Sequence, residues 1–190
     1  SVLTFEHEGK DASPTYGFDK VIMLAGGVGY ARRSDAQKGT PEPGEEVVLL
    51  GGDNYRIGMG GGAVSSVNTG QYAGAIELNA VQRSNPEMQK RVENVIRTLS
   101  ESEDNPIISI HAHGAGGHLN CLSELVETTG GHFDLSTFPI GDETLSSKEI
   151  IGNESQERMG LLVKSEDVER IARIAERERA PMYVVGRTTE

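Results

Sequence analysis

The sequence predicts an α+β fold, a mixed β-sheet covered by helices, and three observations predict it. Short apolar runs that end near glycine or another breaker indicate strands, the clearest being residues 47–50 and 159–163. Longer segments with apolar residues every three or four positions indicate amphipathic helices, as in residues 86–99. The two patterns alternate along parts of the chain, so we expect the helices to pack against the sheet.

The chain of 190 residues is long enough for one domain with a proper core and short for two. We therefore expect a single domain over residues 1–190, with residues 1–20 as an irregular, polar N-terminal extension. The chain opens at Ser1 without Met, and its last apolar run ends four residues before the C-terminus. These ends favour a domain excised from a larger multidomain protein.

Composition excludes several classes of function. The formal net charge of −11, the 5% aromatic content and the lack of Trp disfavour binding to nucleic acid, which needs basic clusters and stacking side chains. No run approaches 18 consecutive apolar residues, so a membrane span is not expected. The single cysteine, Cys121, excludes an internal disulfide framework and fits a reducing cytosol. We expect a cytoplasmic protein without nucleic-acid or membrane partners.

The first half of the chain contains two predicted strands. Residues 21–25 form an apolar run that ends at Gly26-Gly27, which predicts a strand entering a tight turn. Residues 47–50 form the next predicted strand, closed by Gly51-Gly52.

A well-marked helix follows. Asn85 can cap its N-terminus, and Pro86 suits the first helical position because no N–H is needed there. The apolar stripe of this helix comprises Met88, Val92, Val95, Ile96 and Leu99. Residues 107–110 then predict a strand that runs directly into a glycine-rich turn.

Two more helices and a strand complete the prediction. The helix after the glycine-rich turn should bury Leu119, Leu122, Leu125 and Val126. The last helix should begin near Ser165 or Asp167 and bury Val168, Ile171, Ala172, Ile174 and Ala175. Pro181 separates it from a final strand at residues 182–186.

The most informative segment is a polar run of six residues, Asn153–Arg158, between the apolar runs 149–151 and 159–163. Apolar flanks of this kind favour buried strands, and burying an amide or carboxylate without a partner costs roughly 2–7 kcal/mol. One interpretation is that a ligand, a metal or another domain meets these side chains. The alternative is a solvent-exposed turn between two strands.

Two glycine-rich segments, residues 51–66 and 114–117, could bring backbone N–H groups together on an anion. The second lies between a predicted strand and a predicted helix, where the helix dipole favours phosphate. Residues 51–66 do not match a Walker loop, because no Gly-Lys-Ser/Thr follows, and they do not fit the dinucleotide fingerprint. The alternative for residues 51–66 is a tightly turning or flexible segment.

Other chemistry-bearing residues give weaker signals. His111, His113 and His118 could suggest a metal site, but no Cys or carboxylate stands at a suitable spacing, so zinc is disfavoured. Cys121 falls within a predicted helix, on or beside its apolar face, and favours packing over nucleophilic catalysis. Gln82 precedes a capped helix and could simply cover its start.

These segments together, in this order, carry a family resemblance. The chain resembles the phosphoribosylformylglycinamidine synthase family, specifically its large single-chain form, from about residue 20 to the C-terminus. The matching segments are Gly51–Ser66, Ala80–Glu87, Gly114–Gly117, Asn153–Arg158 and Arg177–Pro181. Within that enzyme the chain looks like the C-terminal subdomain of the first half, with the fold of the C-terminal domain of aminoimidazole ribonucleotide synthetase.

The resemblance implies a ligase of purine biosynthesis. The family converts formylglycinamide ribonucleotide to the amidine with ATP, Mg²⁺ and ammonia, which a glutamine amidotransferase domain releases from glutamine. The partners implied are the N-terminal subdomain, the second half and the glutaminase domain of the same enzyme, so the isolated chain is expected to be inactive. No catalytic residue is implied within this chain.

The resemblance also implies site residues. By the match, Gln82, Glu154, Ser155 and Gln156 contact the substrate. The glycines expected near phosphate or nucleotide groups are Gly60, Gly61, Gly62, Gly116 and Gly117.

One departure from the family pattern affects the metal assignment. The family usually has a Mg²⁺-binding Asp two residues before the first glycine of Gly-Ala-Gly-Gly, whereas this chain has Ala112. Ala offers no donor oxygen, and the neighbouring histidines are poor Mg²⁺ ligands, so no metal ligand is assigned within the chain.

Two alternatives stay open. The first is another ATP-using member of the aminoimidazole ribonucleotide synthetase superfamily, such as a selenophosphate or thiamine phosphate kinase-like protein; the polar run argues against it. The second is a non-catalytic interaction domain with a structural glycine-rich loop.

Overall fold

The computed structural model describes residues 6–8, 10, 15–17, 26–68, 70–80, 85–155 and 157–190. The chain divides into two compact units, residues 1–36 and 37–190. In the first unit, strand β1 (Glu6–His7) pairs antiparallel with β2 (Tyr16–Gly17), so the extension expected to be irregular contains a short strand pair. A 3₁₀ turn follows at Arg33–Ala36. The strand predicted at residues 21–25 lies outside the described residues.

The second unit is built on a five-stranded sheet. Its strands are β3 (Glu46–Leu50), β4 (Ser109–Ala112), β5 (Gly130–Phe133), β6 (Met159–Val163) and β7 (Met182–Thr189). Their spatial order is β4-β6-β3-β7-β5. The predicted α+β class is confirmed. The sequence predicted a mixed sheet, and all four strand pairs of this sheet are antiparallel.

Six α-helices belong to the described part of this unit. They are α1 (Gly61–Ser65), α2 (Gly74–Ala80), α3 (Pro86–Ser100), α4 (Gly117–Leu125), α5 (Ser147–Ile151) and α6 (Val168–Glu178). Short 3₁₀ turns occur at Leu135–Thr137 and Ser165–Asp167. Helix α3 begins where predicted, since the Asn85 side chain accepts a hydrogen bond from the Met88 N–H at 3.0 Å. None of the helices described here is long and apolar enough to cross a membrane.

The sheet separates two hydrophobic clusters, and the central strand β3 serves both. Val47 and Leu49 pack with residues of α4 and α5 on one face. Val48 and Leu50 pack with residues of α3 and α6 on the other. Successive side chains of a strand point to opposite faces, so a strand covered on both faces needs a continuous apolar run.

Residues 149–151 are helical, so the interpretation of this apolar run as a strand is wrong. They belong to α5, which begins with a capping box: the Ser146 hydroxyl accepts from the Glu149 N–H, while the Glu149 side chain accepts from the Ser146 N–H. A run of three residues is too short to show a period, and the Ser-x-x-Glu spacing before it was the signal for a helix start.

The boundaries of two strands also differ from the prediction. Strand β4 begins at Ser109, two residues after the predicted start at Ile107, and continues to Ala112. Strand β7 continues to Thr189, three residues beyond the predicted end at Gly186, because β5 pairs with its last four residues.

Two side chains predicted to point inward do not. Leu119 is 61% exposed, because the buried stripe of α4 runs through His118, Cys121, Leu122 and Leu125. His118 therefore occupies a core position that the apolar pattern did not predict. Ala172 is exposed on α6, whose fully buried residues are Ile171 and Ala175.

Candidate functional site

The polar run between α5 and β6 is buried, so its interpretation as a solvent-exposed turn is wrong. Five of its six residues are at most 3% exposed: Asn153, Glu154, Ser155, Glu157 and Arg158. The sixth, Gln156, lies outside the described residues. Buried polar groups need hydrogen-bond partners, and the backbone of the two glycine-rich segments supplies many of them.

Asn153 fastens the first glycine-rich segment to the polar run. Its side-chain amide donates to the carbonyls of Tyr55 at 2.7 Å and Ile57 at 2.9 Å. Next to it, the Glu154 N–H donates to the Gly58 carbonyl at 2.7 Å. Gly58 has a φ of 78°, and a Cβ there would lie 2.1 Å from the Glu154 carbonyl oxygen, so this close approach requires glycine.

The Glu154 carboxylate joins both glycine-rich segments. Its Oε2 accepts from the Gly62 N–H at 3.0 Å, and its Oε1 accepts from the Gly116 N–H at 3.1 Å. Glycine N–H groups from both segments therefore converge on one anion. That anion is a carboxylate of the protein itself.

The other predicted glycines surround this contact. Gly61 begins α1, and a Cβ at this position would lie 3.0 Å from Glu154 Oε2. Gly60 caps α1 in the left-handed region with a φ of 68°. Gly117 begins α4, and a Cβ there would lie 2.5 Å from the Asn153 carbonyl oxygen. The structure thus brings these glycines and Glu154 together, while Gln82 lies outside the described residues.

Ser155 differs from its neighbours in the polar run. Its N–H donates to the His113 carbonyl at 3.1 Å, and the residue is 1% exposed. Its hydroxyl is the one buried side-chain oxygen or nitrogen in the described part of the chain that lacks a hydrogen-bond partner. An unsatisfied buried group costs about 1–3 kcal/mol, so a partner from a ligand or another domain would remove this cost.

Two buried histidines flank the second glycine-rich segment. His113 and His118 are both fully buried, and His113 Nε2 lies 3.0 Å from His118 Nδ1. The pKa of each lies well below the ordinary value, first because burial disfavours the charged imidazolium and second because Arg158 is close. Both imidazoles are therefore neutral near pH 7.

Arg158 is a buried residue of the candidate site that the sequence analysis did not single out. It is fully buried, and its guanidinium donates twice to the Gly52 carbonyl, from Nη2 at 3.1 Å and from Nε at 3.3 Å. Its Nη1 lies 3.0 Å from His118 Nε2. The available signal was a basic residue directly before a buried strand, which is unusual unless the charge has internal partners.

The donor set of the described residues does not fit a metal ion. In the ranges that the structure describes, no group of three or more His, Cys, Asp or Glu side chains could hold one. Ala112 ends β4 with an exposed methyl group, and His111 is paired with Glu124 at 2.8 Å. His113 and His118 are occupied with each other.

Cys121 packs in the core, as predicted. It is fully buried in α4 among the apolar residues that contact one face of the sheet. Burial raises the pKa of its thiol to about 12, which keeps the thiol protonated at neutral pH. It is therefore not an activated nucleophile.

The chain is similar to known proteins over most of its length. The family model described as AIR synthase related protein, C-terminal domain, matches residues 42–190. A probable phosphoribosylformylglycinamidine synthase, chloroplastic/mitochondrial, of Arabidopsis thaliana is 45% identical over 168 residues, 88% of this chain and 12% of that protein. The phosphoribosylformylglycinamidine synthase of Schizosaccharomyces pombe is 44% identical over 175 residues, 91% of this chain and 13% of that protein. The chain thus spans only a small part of these relatives.

Solved structures show the same fold. Thermotoga maritima PurL complexed with FGAR matches with a TM-score of 0.73 at 28% identity, over 80% of this chain and 25% of that chain. PurLQS from the same organism matches with a TM-score of 0.65 at 25% identity, over 80% of this chain and 23% of that chain. The resemblance to phosphoribosylformylglycinamidine synthases is confirmed, and the chain belongs to the AIR synthase related protein, C-terminal domain family.

Proposed function

We propose that this chain is a substrate-binding subdomain of a phosphoribosylformylglycinamidine synthase. The complete enzyme would convert formylglycinamide ribonucleotide to the amidine in purine biosynthesis, using ATP and ammonia from glutamine. Two relatives at 44–45% identity carry that enzyme name, and a structural neighbour at 28% identity is described as complexed with FGAR. The same identities favour this assignment over another ATP enzyme of the superfamily or a non-catalytic interaction domain.

The observation that carries the proposal is the unpartnered hydroxyl of Ser155 within a buried polar run. Ser155 follows Glu154, which holds the glycine-rich segments on either side through Gly62 and Gly116. We assign Ser155 to hydrogen bonding with the substrate, together with the amides of Gln82 and Gln156. Glu154 contributes by ordering the backbone of the glycine-rich segments. We call the polar run, together with the glycine-rich backbone that Glu154 holds, the substrate wall.

The substrate wall orients the substrate and does not need to contain a general base. Phosphorylation of an amide oxygen depends chiefly on positioning and on neutralising charge. Hydroxyl and amide groups orient a neutral amide or a ribose through directional hydrogen bonds. We therefore expect the isolated chain to be inactive and to need the N-terminal subdomain, the second half and the glutaminase domain as partners.

ATP and Mg²⁺ belong to the proposal for the complete enzyme. The donor set of the described residues does not fit Mg²⁺, because Ala112 has no donor oxygen and its histidine neighbours have other partners. Any Mg²⁺ ligands would come from other parts of the enzyme. A cytoplasmic location also stays a proposal, since the plant relative is named chloroplastic/mitochondrial.

The experiment is a substitution in the complete synthase. Gln156→Ala should lower kcat/KM for formylglycinamide ribonucleotide by roughly 5- to 150-fold, which corresponds to about 1–3 kcal/mol for a lost buried partner. Gln37→Ala is the matched control, because Gln37 is exposed before β3 and far along the chain from the polar run. Unchanged kinetics in Gln156→Ala would remove Gln156 from the site.

A further inference from the structure

The residues His113, His118 and Arg158 form a closed ring of contacts around the Gly114–Gly117 turn. His113 Nε2 lies 3.0 Å from His118 Nδ1, and His118 Nε2 lies 3.0 Å from Arg158 Nη1. The ring closes where His113 Nδ1 lies 3.3 Å from the Arg158 carbonyl oxygen. These three residues are all fully buried.

The chemistry of the partners selects one arrangement of protons. The Arg158 carbonyl can only accept, so His113 carries its proton on Nδ1 and accepts at Nε2. His118 then donates from Nδ1 to His113 and accepts at Nε2 from the Arg158 guanidinium, which can only donate. Every link of the ring is thereby a donor facing an acceptor.

A fourth contact favours the opposite arrangement of protons on His118, but that arrangement satisfies fewer contacts. The Asn54 Oδ1 atom lies 3.0 Å from His118 Nε2, and it is an acceptor because the Asn54 amide nitrogen donates to the Pro139 carbonyl at 2.7 Å. A proton on His118 Nε2 would satisfy Asn54 but would oppose the guanidinium N–H. His118 Nδ1 would then be an acceptor, so either His113 carries its proton on Nε2 and its Nδ1 faces a carbonyl without a proton, or two acceptor nitrogens face each other. The first arrangement satisfies three of the four contacts and this one satisfies two.

The ring contacts the segments that form the proposed substrate wall. His113 and His118 stand on either side of the turn that carries Gly116, whose N–H holds Glu154. Arg158 reaches from the end of the polar run to the Gly52 carbonyl at the start of the first glycine-rich segment. The ring thus links three segments that the sequence keeps far apart.

We propose that His118 is a positioning residue. Together with His113 and Arg158 it forms a ring of two neutral imidazoles and a guanidinium. This ring fixes the position of the Gly116 N–H and, through Glu154, the position of the substrate wall. The part of this inference that concerns catalysis rests on the proposed function. The proton arrangement and the order of the turn do not.

The first experiment is NMR of the chain with ¹⁵N-labelled histidine. The expected spectrum at pH 7 shows His113 and His118 both neutral and both protonated at Nδ1, the less common tautomer of a free imidazole. A proton on Nε2 of His118, or a charged imidazolium, would overturn the ring.

The second experiment measures amide hydrogen exchange at Gly116. His118→Leu, which has a similar volume but no ring nitrogen, should speed Gly116 exchange by more than the loss of global stability accounts for, by at least about fivefold. His132→Leu is the matched control, since His132 is exposed on the edge strand β5. An increase no larger than the global effect would mean that His118 stabilises the core without positioning the turn.

The third experiment separates positioning from structure in the complete synthase. His118→Leu should raise KM for formylglycinamide ribonucleotide about tenfold, while kcat at saturating substrate falls less, because the wall is misplaced but the reacting groups are intact. A KM equal to that of His132→Leu would overturn the positioning role. Unchanged kinetics in both Gln156→Ala and Ser155→Ala would count against the proposed function as well, whereas the NMR result would still stand.

Discussion

Ser155→Ala is predicted to have opposite effects on stability and activity. The Ser155 hydroxyl is buried without a partner in the described residues, so the folded chain bears most of the cost of removing it from water. That cost is about 1–3 kcal/mol for a hydroxyl in protein mutational data. Alanine keeps the Cβ and removes the oxygen, so the free energy of unfolding should rise, by up to about that amount.

The measurement is urea unfolding of the 190-residue chain, wild type against Ser155→Ala, followed by circular dichroism. The expected result is a higher unfolding midpoint with an unchanged slope. Ser123→Ala is the control, because the Ser123 hydroxyl is on the exposed side of α4 and should change stability little. In the complete synthase, Ser155→Ala should lower kcat/KM for formylglycinamide ribonucleotide, since the same hydroxyl is the proposed substrate donor. A destabilised Ser155→Ala chain would refute the argument from burial, and unchanged kinetics would refute the role in the site.

Three other predictions follow from the described geometry. Gly58→Ala should destabilise the chain by several kcal/mol more than Gly44→Ala in urea unfolding, because both have positive φ but only Gly58 lies against backbone; equal losses would show that the clash is relieved at little cost. Cys121 should react with a thiol reagent at pH 8 only at the rate of protein opening, since its pKa is about 12; fast reaction in the native state would contradict its burial. His113 and His118 have lowered folded-state pKa values, so the unfolded chain binds more protons below about pH 6.5 and stability should fall as pH drops from 6.5 to 5, by up to about 1.4 kcal/mol per pH unit for each histidine. The double variant His113→Leu/His118→Leu should flatten this slope, and a slope equal to that of the wild type would assign it to other groups.

Local pattern was sufficient for elements whose stability is decided locally or by complete burial. Strand β3 was predicted because four successive apolar residues are typical of a strand that is buried on both faces. Helix α3 was predicted because its cap, its proline and its stripe all lie within fifteen residues. The pattern failed at residues 149–151, where three residues cannot show a period, and at Leu119, where a histidine took the buried position.

The sequence by itself determined the fold class, the family and the importance of the polar run Asn153–Arg158 and of the glycine-rich segments. Which residues of these segments form hydrogen bonds with each other was decided by the tertiary structure alone. Glu154 meets Gly62 and Gly116 across 92 and 38 residues of chain, and Arg158 meets Gly52 across 106. Such contacts have no sequence signature, because hydrogen bonds between distant segments depend on how the sheet and helices bring them together. The physical reason is burial: the fold removes the polar run from water, so each polar atom takes a partner within reach or, like the Ser155 hydroxyl, lacks one.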